Sequence, residues 1–359
     1  MTSQKPEFRY KKIKPVMAAT KHIVIKSRSE LPLVLNEFKR HVPEASIAGP
    51  GICIIQFVTS VQDGLDVEIG YPVTRDFESD EIETRMLPEM GVLTFVHKGK
   101  LSELGDSYRK LYAHAYKRGL ISDEFCREVY HDIDDKTEIE VEIQFVIHQW
   151  NELFAQNLKR VLGDETEPQV MQGSEDLDTT STVQERFNWT KGAVQRLEQA
   201  ANAMERYDIL SSCAHVFPVN QIAKLRAVYQ EVEASTADAL SAVDAVLEFM
   251  KEDPGWGEAA RREGMTIYAW KNPRDPAGYE KAQDPLEKRK AACFCPILRE
   301  NMEEGMPGTF CYCGAGWYRQ QWEGAIGRPV TIEIVSSLLM GDERCEFAIR
   351  LPDDLWHSV

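Results

Sequence analysis

The sequence predicts an α+β protein: a duplicated βαββ domain linked to a second α+β domain, which combines a helical layer with a cysteine-bearing antiparallel sheet. Three observations predict it. Residues 8–147 read as one unit used twice, an acidic stretch poor in large apolar residues follows, and five of the eight cysteines lie beyond residue 290. The expected division is residues 1–150, a helical extension and mobile acidic linker over 151–186, and a C-terminal domain over 187–359.

The first copy opens with an alternating stretch, FRYKKIKPVMAATKHIVI, continues through an amphipathic helix at ELPLVLNEFKRHV, and ends in two strands at ICIIQF and LDVEIGYPV. The second copy repeats this order with IETRMLPEMGVLTFVHKG, ELGDSYRKLYAHAYKRG, CREVYHD and IEVEIQFVI. Period-two alternation and β-branched content argue for the strands. Leu104, Tyr108, Leu111, Tyr112 and Ala115 recur at helical spacing, and Gly119 stops the run where a C-terminal glycine belongs. The closing strands superpose Glu68 on Glu142. On CREVYHD, a period of two puts Cys126, Glu128 and Tyr130 on one face and Arg127 and Val129 on the other.

After the repeat, GDETEPQVMQGSEDLDTTSTVQE reads as a linker. Then GAVQRLEQAANAMERYDIL, VNQIAKLRAVYQEVEA and ADALSAVDAVLEFMKED carry helical spacing, with breaks at Pro218 and Pro254. In the C-terminal domain two Cys-x-Cys pairs stand out, Cys293 with Cys295 and Cys311 with Cys313. If both segments are strands, each pair presents two thiols to one face, and pairing them as neighbours lets four sulfurs converge. Four thiolates are a usual structural zinc set, so zinc is the expected cofactor. Cys345 follows the GDER turn early in a returning strand, within reach of its neighbour, and His215 is a further candidate ligand.

Composition limits the functional classes. A hydrophobic share of 43% and a charged share of 28% suit a globular chain, and no run approaches the roughly 18 apolar residues of a membrane span. A net charge of −16 opposes binding to a phosphate backbone, so direct nucleic-acid binding is not expected. The N-terminus lacks the apolar core of a secretory signal, and the expected location is cytoplasmic.

Two family resemblances sharpen the reading. The H-x-G-x-x-x-x-L-x-x-x-Y-x-x-L pattern from His97 to Leu111, followed by REVY and VEIQFVI, resembles the GyrI-like small-molecule-binding domain, which also serves as the effector module of transcription regulators. That resemblance implies a pocket in which Glu128 contacts ligand, Glu142 lies nearby, Tyr130 lines the wall and Glu68 is the repeat-related acid. The family's Gly-Pro-Tyr is replaced here by Gly99, Lys100 and Leu101. At the other end, GRPV followed by GDERCEF, with Cys311 sixteen residues before Gly327, resembles the 4-vinyl-reductase-like domain. The CFCP, CYC and GDxxCxF elements are similar to proteins described as aminothiazoline-carboxylate-hydrolase-like. The first of these implies a zinc site, here rebuilt from Cys293 or Cys295 with Cys311, Cys313 and Cys345.

The expected function is a sensor or binding protein for a small hydrophobic or cationic ligand, with a metal-thiolate site in the second domain and a regulatory protein as a possible partner. Two alternatives stay open: a hydrolase of small esters, lactones or related cyclic substrates, using Glu128 as general base or a cysteine thiolate as nucleophile, and a thiol redox sensor.

Overall fold

A computed structural model describes residues 8–56, 64–77, 79, 81–132, 138–148, 150–178, 180–215, 217, 219–236, 238–252 and 258–357. The chain forms two compact units, residues 1–148 and 149–359. Mixed α and β content holds in both. The breaks expected at Pro218 and Pro254 lie outside the described residues.

In the first unit each copy begins with two strands where the alternation suggested one long one. They are β1 (Arg9–Ile13) and β2 (Val16–Ile25) in the first copy, and β5 (Glu83–Leu87) and β6 (Met90–Gly99) in the second. Pro15 and Pro88 sit at the two interruptions, where a missing N–H ends a ladder. Helix α1 (Leu31–Lys39) and strands β3 (Gly51–Gln56) and β4 (Leu65–Pro72) complete copy one. Helix α2 (Leu104–Lys117), β7 (Ile121–Asp132) and β8 (Ile139–His148) complete copy two.

All eight strands join one sheet in the order β1-β6-β8-β7-β3-β4-β2-β5, every pair antiparallel. The copies exchange their first strands: β1 borders β6, and β5 borders β2. Only Lys14 and Pro15 join β1 to β2, although these strands stand six places apart in the sheet. Three Cα steps reach about 11 Å, whereas six strand spacings in a flat sheet span about 29 Å. The sheet is therefore curled, and the same argument applies to the β5–β6 connection.

A pseudo-twofold axis passes between the central strands. Cys53 opposes Glu128, while Ile52↔Val129 and Ile54↔Arg127 flank that pair symmetrically. One face of the sheet carries the helices: Leu31, Leu35 and Phe38 of α1 and Leu104 and Leu111 of α2 are buried against it with Cys53, Ile69, Tyr130, Ile143 and Phe145. Each such side chain contributes about 2 kcal/mol by leaving water. On the other face, inside the curl, Ala18, Ile52, Leu87 and Val129 form one small cluster, and Met90, Val92 and Val146 another.

The second unit begins with α3 (Trp150–Leu162), α4 (Glu167–Val170), α5 (Val183–Ala200) and α6 (Ala203–Ser211). The stretch expected to be a mobile linker is thus part of a folded unit. Its anchors are local: Val170 and Met171 are buried, Asp178 accepts from the N–H groups of Thr180 and Ser181, and Thr182 with Glu185 makes a capping box. A second capping box, Asn202 with Glu205, splits into α5 and α6 what the spacing presented as one helix.

Beyond these lie α7 (Val219–Thr236), α8 (Ala239–Glu252), β9 (Glu258–Glu263), β10 (Thr266–Lys271), α9 (Pro276–Lys281) and α10 (Pro285–Ala292). Helix α11 (Tyr312–Ile326) and strands β11 (Thr331–Ser336) and β12 (Glu346–Arg350) close the chain's described fold. The strands form one antiparallel sheet, β11-β12-β10-β9. Tyr318 and Trp322 of α11 are core residues against Phe347 and Ile349. Gly316 lets α11 touch α6, since a Cβ there would overlap the Ser211 carbonyl.

Candidate functional site

Strand β7 delivers Glu128 to the pseudo-twofold axis on the helix-covered face, where its carboxylate is fully buried. Alternation places Tyr130 and Cys126 beside it on that face. Tyr130 donates to Glu128 Oε2 at 2.6 Å, and Tyr108, from the apolar stripe of α2, donates to Oε1 at 2.5 Å. Tyr108 also lies 3.0 Å from Cys126 Sγ.

The third partner is Arg28, in the short turn of helix before α1. Its Nη1 stands 3.3 Å from Glu128 Oε1, and its guanidinium lies over the Tyr108 ring at 4.5 Å from the centroid. Burial alone would lower the pKa of this guanidinium; Glu128 and the surrounding phenols and thiol raise it above its ordinary value. Burial first, and then the Glu128 charge, push both Tyr108 and Tyr130 well above the usual phenol range. Cys126 is pushed up to about 12, chiefly by burial, and Cys53 is also raised. The phenols and thiols therefore stay protonated at neutral pH. The site is a buried carboxylate with two neutral donors and one cation whose side chain remains 31% exposed.

Glu142, expected near Glu128, and Glu68, its repeat-related acid, are elsewhere. Glu142 pairs across the ladder with Val129 and Glu68 with Ile54, each on the face opposite Glu128. Inside the curl, Lys11 Nζ meets Glu142 at 2.8 Å, and Gln144 donates to the same carboxylate while accepting from Arg127. Although burial alone would raise it, the bonds from Lys11 and Gln144 hold Glu142 below the usual carboxylate range. In the other half Arg85 grips Glu68 with bonds of 2.6 to 3.0 Å. The registers Lys11↔Val92 and Arg85↔Ala18 make these two ion pairs repeat-related. They tie each exchanged edge strand into the curled sheet and do not reach the Glu128 site.

Sequence reasoning did not single out Arg28 or assign Tyr108 a polar role. Tyr108 had a usable signal, a hydroxyl on an otherwise apolar helix stripe. Arg28 had none, being one of several basic residues in KHIVIKSR. At the altered Gly99-Lys100-Leu101 loop, His97 bonds Ser107 through Nδ1 and the Lys100 carbonyl through Nε2, fixing the entry to α2.

The cysteines of the second unit do not form the expected strands. Cys293 ends α10, Cys295 lies in the following loop, and Cys311 and Cys313 straddle the start of α11. Two residues along a helix rotate by about 200°. Accordingly, Cys311 Sγ meets Ser337 Oγ at 3.1 Å, whereas Cys313 Sγ points to the Cys213 carbonyl at 3.4 Å. Cys345 precedes β12, and its carbonyl accepts from Lys271 N. His215 is engaged through its carbonyl by Gln320. Among the described residues no group of three or more His, Cys, Asp or Glu side chains placed to hold a metal ion is found. Burial pushes Cys295 up to about 11 and Cys313 up to about 12, and raises Cys293, Cys311 and Cys345 as well. These are protonated thiols at neutral pH.

Comparison with known proteins agrees with the first unit's reading. Residues 4–148 match the GyrI-like small-molecule-binding domain, and this unit is a domain of that kind. Residues 258–356 match a family of unknown function (DUF6144), in place of the 4-vinyl-reductase-like domain that the motifs resemble. No curated protein matches the chain. Among solved structures, the chain is similar to EcmrR in an EcmrR–DNA complex, at 22% identity and a TM-score of 0.35, covering 40% of this chain and 57% of that one. The EcmrR C-terminal domain alone is matched at 22% identity and TM-score 0.34, over 41% of this chain and 99% of that one. SAV2435 bound to tetraphenylphosphonium is matched at 12% identity and TM-score 0.29, over 41% and 96%. Among the described residues no helix is long and apolar enough to cross a membrane.

Proposed function

We propose that the protein is a small-molecule sensor or binding protein whose N-terminal site takes a hydrophobic organic cation on Glu128, with Arg28 as the resident cation that the ligand displaces. The observation that carries this reading is the fully buried Glu128 carboxylate, met by two phenols from separate elements and a guanidinium held over an aromatic face. A buried carboxylate requires a compensating charge, and Arg28, partly exposed at the rim, is the group able to leave. A cation with aromatic substituents would reproduce both of its contacts, the ion pair and the ring face.

The GyrI-like match supports small-molecule binding. The tetraphenylphosphonium held by SAV2435 supplies a probe. Regulation of transcription through a partner or through DNA is the corresponding cellular role, by analogy with EcmrR. General-base chemistry at Glu128 is less well supported, because the carboxylate would first have to release Tyr108, Tyr130 or Arg28.

The test is calorimetric titration of the full chain with tetraphenylphosphonium and with neutral triphenylphosphine oxide. Glu128→Gln is expected to weaken the cation at least tenfold, about 1.4 kcal/mol, and to leave the neutral compound unchanged. Equal affinity of Glu128→Gln and the parent chain for the cation, or no binding to either, would overturn the proposal.

A further inference from the structure

The repeat also relates two slots outside the Glu128 site, one beside each helix. Phe8 lies immediately before β1 and, by the registers of β1 and β5, stands where Ile82 stands in the other half. The Phe8 ring stacks on His114 at 4.2 Å between centroids and 23° between planes, and meets Phe95 at 5.4 Å. One slot is thus filled by an aromatic ring of the protein itself.

In the first half the positions of Phe8, Phe95 and His114 are taken by Ile82, Lys21 and His41. The smaller Ile82 leaves a cleft of about 440 Å³, within the range of ordinary small-molecule sites. Its floor is apolar and buried, formed by Phe38, Ile69 and Ile82. Its rim is acidic: Glu30, Glu37 and Glu81 face it, and the one lysine, Lys21, is paired with Glu81 at 2.6 Å. In the second half the position of Glu37 holds Lys110 while that of Glu30 keeps an acid in Glu103, so Glu37 is the acid that sets the open slot apart.

We infer that this cleft is a second ligand site, for a small aromatic amine whose ring occupies the place of Phe8 and whose ammonium lies against Glu37 and Glu30. The inference is independent of the Glu128 reading. It rests on the cleft and on the filled counterpart within the same chain.

The experiment is titration of the full chain with phenethylamine, followed by calorimetry or by ligand-observed NMR. The parent chain is expected to bind at millimolar concentration. Ile82→Phe, which supplies the ring that Phe8 supplies opposite, is expected to abolish binding while the chain keeps its melting transition. Glu37→Gln, at an exposed rim position, is expected to weaken it about tenfold, and Glu128→Gln to leave it unchanged. Undiminished binding to folded Ile82→Phe and to Glu37→Gln would overturn the inference, as would no binding to the parent chain up to several millimolar. Loss in Glu128→Gln alone would also overturn it, by assigning the amine to the other site, and would support the proposed function.

Discussion

The two halves of the curled sheet share a framework and differ in what they place on it. The framework is repeated: Lys11–Glu142 and Arg85–Glu68 occupy related positions, each binding an exchanged edge strand to its host. The contents are not. At the axis Glu128 faces Cys53, its own counterpart; Arg28 stands before α1 where Leu101 stands before α2; and Phe8 corresponds to Ile82. Duplication fixed the backbone, and divergence at three related pairs made a charged site at the centre and an open slot at one side.

Arg28→Met tests this comparison with the largest effect. It removes the cation from a fully buried carboxylate, a change that costs about 3–5 kcal/mol. The related Leu101→Met is close to volume-conserving and should cost less than about 1.5 kcal/mol. Urea unfolding of both variants checks the difference. Adding Glu128→Gln to Arg28→Met should recover much of the loss, because the unpaired charge is gone. In the single variant, tetraphenylphosphonium should bind more tightly than in the parent chain and raise the melting temperature. Equal costs for the two methionine variants would mean that Arg28 does not compensate Glu128.

A smaller effect is expected at the framework pairs, and there the halves should agree. Lys11→Met and Arg85→Met each remove a charged hydrogen-bond donor from a carboxylate on the inner face, at a cost of about 1–2 kcal/mol. The pairs lie in opposite halves and share no partner, so the double variant should show the sum. A strongly unequal pair of costs would break the equivalence of the two framework positions.

Much of the framework was legible in the sequence, because alternation and helical spacing are local signals. The partners of β1 and β5 were not, since nothing within RYKKI or ETRML states which copy it will join. The pairing of Tyr130 with Glu128 was legible, since the two share a face by the period of two. The same period places Glu142 on the reverse face once its partner is known to be Val129, and that register is a tertiary fact. In the second unit, Cys-x-Cys suited a strand as well as a helix start. The spacing of Tyr318 and Trp322 extended a helix toward Cys313, and the Cys311 and Cys313 thiols diverge for that reason.

The smallest effect per residue, read at pH 9, concerns the axis thiols and their pH dependence. Cys53 and Cys126 both have pKa values raised in the folded state, mainly by burial, the latter to about 12. A thiol whose folded pKa exceeds its unfolded value contributes stability that is fully present below the unfolded pKa, near 8.5, and is lost as pH rises toward the folded value. By pH 9 the unfolded chain gains about 0.8 kcal/mol per thiol relative to the fold. Urea midpoints measured from pH 7 to pH 9.5 should therefore fall more steeply for the parent chain than for Cys53→Ala/Cys126→Ala, whatever the two substitutions cost at pH 7. Equal slopes would mean that both thiols ionise in place, turning the axis into a site with more than one anion. Arg28 would then be answering more than Glu128, and the central contrast between carboxylate and thiol would have to be redrawn.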